Sequence, residues 1–337
     1  MNSFELKTKF FYLQKTCLEK FFSLLNKPLV FPTKITLEIT DCCNARCHYC
    51  NMWQLKRKKD ELTFIQKKKL IKELKSWLGV FKINFTGGEP FLDQDLIELI
   101  SYCHQLGVIT GVTTNGLLIE RKMTHQLIKS GLGEIHLALN GSSKEVHDWT
   151  VGVKGSYEKI MTLIDNFKYY QKKGNKKKPL IYITSLVMKR NIGELDDLVY
   201  LVKKKKIRGI NFVPIEIKKP ERKPFLWPQS IQFVDKKINR LVSYKQKGYP
   251  IVNSVNDLLK MQEYFGKDKY QSENIDRKKK LFILRNFFID AVGDVRFDFR
   301  WSVIGNVVRM KPKKIWQSQG AQRQRREFLN DFIIRKS

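Results

Sequence analysis

The sequence predicts an α/β protein in which a parallel β-sheet carries its binding residues along one edge. Three observations support this. Six short β-rich runs alternate with longer amphipathic stretches from residue 34 onward, and polar, glycine-rich punctuation falls repeatedly just after a run. A chain of 337 residues with 42% hydrophobic and 12% aromatic content is also long and apolar enough to bury a large core. Parallel neighbours need a crossover connection, so alternating strands and helices imply a parallel sheet, whose C-terminal strand ends share one face.

Residues 1–33 read as a leading helical segment. Phe4, Phe10, Phe11, Cys17, Phe21, Phe22 and Leu25 fall on one face with lysines opposite, a face for packing on the main domain. Its lysines are scattered and it lacks a small-residue cleavage site, so the segment is expected to be retained. Strands are expected at 34–40, 80–86, 108–114, 134–140, 180–188 and 209–215. The stretch 93–105, with Leu96, Leu99 and Ile100 on one face, and the stretch 155–170 read as helices. Beyond residue 216 the alternation stops. Pro220, Pro224 and Pro228 break the chain among Lys218, Lys219, Arg222 and Lys223, which marks a boundary. A helix near 230–244, a β-hairpin over 286–299 with Gly293-Asp294 as a two-residue turn, a last strand at 302–308 and a basic helix from about Lys313 complete the chain. The expected units are 1–33, 34–215 and 216–337, the last a small α+β extension. No transmembrane span is visible.

Charge divides the chain unevenly. There are 64 Lys+Arg against 33 Asp+Glu, a formal +31; residues 1–150 hold 21 basic and 15 acidic side chains, and residues 151–337 hold 43 and 18. Such a balance favours anionic partners and leaves nucleic acid open, although the lysine runs at 176–178, 203–206 and 278–280 also read as solvated faces. Four of six cysteines (Cys42, Cys43, Cys47 and Cys50) fall within nine residues, a spacing that suits a metal site better than a disulfide framework. A reducing, cytoplasmic setting follows. Cys17 and Cys103 lie in helical patterns and are expected to pack as small apolar side chains.

The chemistry centres on Cys43-x3-Cys47-x2-Cys50, in the loop after the first strand. Three thiolates fill three positions of a tetrahedral zinc site, with His48 or Cys42 as a fourth ligand, or three corners of a [4Fe–4S] cluster with one iron left open. Spacing alone leaves both possible. After the second strand comes Gly87-Gly88-Glu89-Pro90, where two glycines permit close backbone approach, Pro90 stiffens the turn and Glu89 offers an acceptor to an ammonium group.

These two motifs resemble those of the radical S-adenosylmethionine (SAM) superfamily, with Tyr49 as the aromatic before the last cysteine. The resemblance spans roughly residues 34–215. It implies a partial (β/α)6 TIM-like barrel in which Cys43, Cys47 and Cys50 hold one [4Fe–4S] cluster and SAM chelates the open iron. It further implies that residues 87–89 contact the methionine amino group and that Tyr49 helps to place the adenine. Thr114, Asn115, Asn140 and Ser185, near other strand ends, are candidates for ribose or carboxylate contacts. Asn140 stands where relatives commonly show the aspartate of Ser-x-Asp-Gly.

The stretch Phe287 to Val295, then Ile304-Gly305-Asn306-Val307 and Ile315-Trp316, resembles the SPASM or twitch extension of that superfamily. The auxiliary-cluster cysteines are missing: Asp298 stands about where one would follow the hairpin, and no cysteine occurs after Cys103. Arg296, Arg300, Arg309, Lys311, Lys313, Lys314, Arg323, Arg325 and Arg326 are expected to form an electropositive entrance. The resemblance implies an enzyme that cleaves SAM reductively to a 5′-deoxyadenosyl radical, which abstracts hydrogen from an anionic or peptide substrate. An electron donor such as flavodoxin or ferredoxin is implied as a partner. Two alternatives are a catalytically idle binding protein on the same fold and a zinc-dependent nucleic-acid-binding protein.

Overall fold

A computed structural model of the protein describes residues 31–32, 34–217, 220–266 and 285–333. The expected leading helix, with Cys17, and the lysine run at 278–280 lie outside the described residues.

The alternation appears as β1 (Lys34–Glu38), β2 (Lys82–Thr86), β3 (Ile109–Thr114), β4 (Glu134–Ala138), β5 (Leu180–Val187) and β6 (Gly209–Pro214). Between them run α1 (Phe64–Leu78), α2 (Leu96–Gln105), α3 (Arg121–Lys129), α4 (Lys144–Val151), α5 (Ser156–Lys173) and α6 (Leu195–Lys204). All six strands pair in parallel and in sequence order. The sheet does not close on itself: β6 forms one of its edges. This is an α/β fold with an open parallel sheet, as a partial barrel requires.

Period-2 patterning explains which face is covered. Ile35, Leu37, Ile83, Phe85, Val112, Ile135, Leu137, Ile181, Ile183 and Phe212 are buried in the main hydrophobic cluster. Each such side chain contributes about 1.5–3 kcal/mol when fully buried. Their alternates Thr36, Asn84, Thr113, His136, Tyr182 and Asn211 are only partly buried and line the other face. On that face Lys82 pairs with Glu134, whose carboxylate also meets His136 Nε2 at 3.3 Å. α1 starts on a capping box in which Gln66 N–H donates to Thr63 Oγ1 and Thr63 N–H donates to Gln66 Oε1. It buries Leu70, Ile71, Leu74 and Leu78, three and four residues apart.

The C-terminal part does not stand off from this sheet. After α7 (Lys223–Leu226), α8 (Ile231–Gln246) and α9 (Val255–Gly266), strand β7 (Asn286–Ile289) pairs in parallel with β1. β8 (Asp294–Arg296) and β9 (Gly305–Asn306) then add antiparallel, giving a sheet of nine strands among the described residues. The hairpin turn is one residue longer than expected. Asp290 N–H donates to Asp294 O, Ala291 to Gly293 form the loop, and Gly293 takes φ +88°, the left-handed position that closes a three-residue hairpin. The last strand shrinks to two residues, and the basic terminal helix divides into α10 (Pro312–Trp316) and α11 (Gln319–Ile333).

Several residues of the expected electropositive entrance are otherwise engaged. Arg296 pairs with Asp290 and Asp294, and Arg300 with Asp298. Arg325 is 8% exposed, its guanidinium 4.2 Å from the Trp316 ring and 4.8 Å from the Phe297 ring. Aromatic faces attract a flat cation, so Arg325 is a buried packing element, with burial pulling its pKa down to about 10. Arg309, Lys311, Lys313, Lys314, Arg323 and Arg326 remain exposed.

Candidate functional site

Cys43, Cys47 and Cys50 lie on the loop that leaves the C-terminal end of β1, and the Gly-Gly-Glu-Pro turn leaves β2 beside it. The two are bolted together through the backbone. Gly88 N–H donates to Thr40 O at 2.8 Å and Glu89 N–H donates to Cys42 O at 2.7 Å. Only glycine allows this approach. A Cβ on Gly88 would stand 1.9 Å from Cys42 O, and Gly87, at φ +130°, would put one 2.3 Å from Thr40 O. On the other flank Arg46 N–H and His48 N–H donate to Val151 O and Thr150 O at the end of α4. Glu61 Oε1 accepts from Thr40 Oγ1 and from Asp41 N–H, tying the loop's start to the segment before α1.

Each of the three thiols has a side-chain or backbone hydrogen-bonding neighbour, and Cys43 also meets the Ala45 backbone. Asn115 Nδ2 lies 3.8 Å from Cys43 Sγ, the Tyr49 hydroxyl meets the Cys47 thiol, and Met52 N–H donates to Cys50 Sγ at 3.4 Å. Burial pushes the Cys43 thiol up and the Cys47 thiol up to about 12, and the neighbouring sulfurs add to the rise. Among the described residues no three His, Cys, Asp or Glu side chains gather tightly enough to hold a single metal ion. His48, the alternative fourth ligand for zinc, stacks on Trp149 with ring centroids 4.5 Å apart. The described cysteines are all free thiols, and Cys103 is buried in α2 as expected of a packing residue.

The other expected site residues fall into two groups. Glu89 is fully buried: Oε1 accepts from Thr114 Oγ1 and Phe91 N–H, and Oε2 accepts from Asn115 N–H. Burial pushes its carboxyl up to about 6 against these hydrogen bonds. Pro90 opens the short turn that Glu89 caps. Asn115 bridges to Asn44 Oδ1 at 2.9 Å as well as to Cys43. These residues join the ends of β1, β2 and β3.

Asn140 belongs to a second network at the end of β4. Its Nδ2 donates to the Tyr49 hydroxyl at 3.1 Å, its Oδ1 accepts from Leu186 N–H, and its own N–H donates to His147 Nδ1. Burial lowers the His147 pKa to about 4, which keeps that ring nitrogen an acceptor. Asn191 Nδ2 closes the network on Asn140 O. Ser185 is set apart: it lies on the same buried face of β5 as Ile183 and Val187, and its hydroxyl is buried without a partner among the described residues.

Sequence reasoning missed Asn44, Glu61, His147 and Arg222. Arg222 Nη1 donates to His48 O at 2.9 Å and to Cys50 O at 3.4 Å, across 174 and 172 residues. Asn44 lies inside the cysteine motif and was within reach of motif reasoning. No local signal marks the other three, because they act through backbone groups or across long stretches of chain.

The chain matches the description "Radical SAM superfamily" over residues 37–202. It is 30% identical over 172 residues to the PqqA peptide cyclase of Bradyrhizobium diazoefficiens, covering 50% of this chain and 43% of that one. It is 31% identical over 172 residues to the mycofactocin maturase MftC of Mycolicibacterium smegmatis, covering 50% of this chain and 41% of that one. The alignments thus span less than half the length of these two curated relatives. In fold it is similar to Streptococcus suis SuiB bound to S-adenosylmethionine, with a TM-score of 0.67, 17% identity, and coverage of 86% of this chain and 66% of that one. Residues 37–202 are a radical SAM domain.

Proposed function

We propose that the protein is a radical SAM enzyme that modifies a peptide or another polar, anionic substrate. When bound, a [4Fe–4S] cluster with SAM on its open iron supplies an electron that splits SAM into methionine and a 5′-deoxyadenosyl radical able to take a hydrogen atom from substrate. Cys43, Cys47 and Cys50 would hold the cluster. The donor set fits it: three soft sulfur ligands lie on one braced loop, and at Cys43 and Cys47 burial and the neighbouring sulfurs disfavour the thiolate unless a cationic centre joins it.

This chain's own residues do the positioning. Gly87 and Gly88 bring the second turn against the cysteine loop, so that residues 87–89 would contact the methionine amino group. Asn115 steadies Cys43, while Asn140 steadies Tyr49 and through it Cys47. Ser185 stays a candidate for a ribose contact that needs a local rearrangement of β5. We further propose the division into 1–33, 34–215 and 216–337, with a small acidic carrier such as flavodoxin or ferredoxin as electron donor. Among the described residues no helix is long and apolar enough to cross a membrane.

The observation that carries the reading is the pair of interlocked turns, Gly88 N–H on Thr40 O and Glu89 N–H on Cys42 O, beside three free thiols. The peptide part rests on the two relatives, a peptide cyclase and a maturase. Anaerobic reconstitution followed by iron and sulfide analysis, reduction and assay for 5′-deoxyadenosine tests it. About four irons per chain and SAM cleavage are expected. A colourless zinc protein, or a loaded protein that never cleaves SAM with candidate peptides present, would overturn it.

A further inference from the structure

Arg222 stands outside the cysteine motif, outside the second turn and outside the matched region, yet it reaches the site. It lies at the start of α7, in the proline-rich connection past β6. Its guanidinium donates to the carbonyls of His48 and Cys50, the residues on either side of Tyr49. The start and middle of the cysteine loop are held by neutral backbone bonds from Gly88, Glu89 and the end of α4. At the Cys50 end, a cation takes over. No carboxylate among the described residues pairs with Arg222. An Arg side chain is permanently charged and its charge-assisted bonds are about twice as strong as neutral ones.

We propose that Arg222 is a positioning residue that fixes the Cys50 end of the loop and brings a positive charge to the iron–sulfur centre, raising its reduction potential. The inference rests on the proposed function, because it presupposes the cluster. Its physical basis is simple. Three thiolates give the centre a negative net charge that grows on reduction, and a nearby unpaired cation stabilises the reduced form more than the oxidised one. Ligand-loop hydrogen bonding acts in the same direction by holding geometry through the electron transfer. The charge comes from the extension, so the extension tunes the core without a cysteine of its own.

The test compares wild type, Arg222→Gln, Arg222→Lys and Arg46→Gln after anaerobic reconstitution. The readouts are iron and sulfide per chain and the midpoint potential from a redox titration followed by electron paramagnetic resonance. Arg222→Gln is expected to shift the potential to more negative values with an altered resonance spectrum, and Arg222→Lys to stay nearer wild type. Arg46→Gln removes an exposed charge from the same loop and is expected to shift the potential less. An Arg222→Gln protein with a full cluster and an unchanged potential overturns the proposal, as does an equal shift in Arg46→Gln. If Arg222→Gln holds too little iron to titrate, Arg222→Lys decides: retained iron with a near-normal potential upholds the role, and iron loss as severe overturns it. A wild-type protein that takes up no cluster defeats the functional reading itself, a distinct result.

Discussion

Gly88→Ala is the sharpest single test of how the site is built. The added Cβ would sit 1.9 Å from Cys42 O and 2.8 Å from Asp41 O, whereas real Cβ contacts essentially never fall under 3.0 Å. Both partners are backbone atoms with no free rotation. The two turns must therefore part by about 1 Å, which stretches the 2.7 Å bond from Glu89 N–H to Cys42 O and displaces Cys43. Overpacking of this kind costs about 1–3 kcal/mol of stability. A misplacement of about 1 Å near reacting groups costs on the order of 100-fold in rate. The expected result is a protein with normal far-ultraviolet circular dichroism, a lower Tm, reduced iron per chain and SAM cleavage down about 100-fold. Gly193→Ala is the control, since nothing lies within 4 Å of its added Cβ. Full iron loading with wild-type SAM cleavage in Gly88→Ala would refute the account of the interlocked turns.

Other outcomes follow from the same geometry. Burial holds the His147 pKa at about 4 in the folded state, below the usual 6.5, so the folded state binds fewer protons between these values. Its contribution to stability is complete above pH 6.5 and is lost as pH falls toward 4, by up to about 3 kcal/mol. Urea denaturation at pH 7 and pH 4.5 should show wild type losing stability relative to His147→Gln as pH falls, a comparison that cancels the opposite contribution of the raised Glu38 and Glu89 carboxyls. Tyr49→Phe removes the hydroxyl between Cys47 and Asn140, and is expected to cost about 1–3 kcal/mol and to speed iron loss to a chelator. Arg325→Gln empties the aromatic box of Trp316 and Phe297 and drops the bond to Trp316 O, so thermal melting should reveal a loss of about 2 kcal/mol or more. Arg323→Gln, at a side chain 75% exposed, should leave Tm unchanged.

Where local pattern carries information, the sequence was legible. The six strands of the core follow period-2 alternation, and their expected starts agree to within two residues because Gly, Asn and Lys clusters bound them. The expected C-terminal ends of β2 and β3 agree with the structure, whereas those of β1, β4, β5 and β6 run one or two residues long: Ile39 and Leu139 still bond to the sheet, but the residues after them leave it. Cys43, Cys47, Cys50 and the 87–90 turn stood out because both chemistry and spacing are local. What was hidden depends on contacts distant in sequence. Nothing near Arg325 announces that Trp316 and Phe297 flank it, so nine basic residues read as one open surface. Nothing near Asn140 reveals that Tyr49, 91 residues earlier, takes its amide hydrogen.

The pairing of β7 with β1 has a consequence for how the protein is made. β1 sits between β2 and β7, and Lys34 and Asn286 are register partners. Ribosomes add roughly 5–20 residues per second, so the strand that launches the cysteine loop waits on the order of tens of seconds for its second neighbour. During that interval β1 is a bare sheet edge beside exposed thiols, open to mispairing with other nascent chains. Delivery of iron to a finished site therefore follows the synthesis of residue 289, and a chain interrupted before that point keeps both the cysteine loop and the sticky edge.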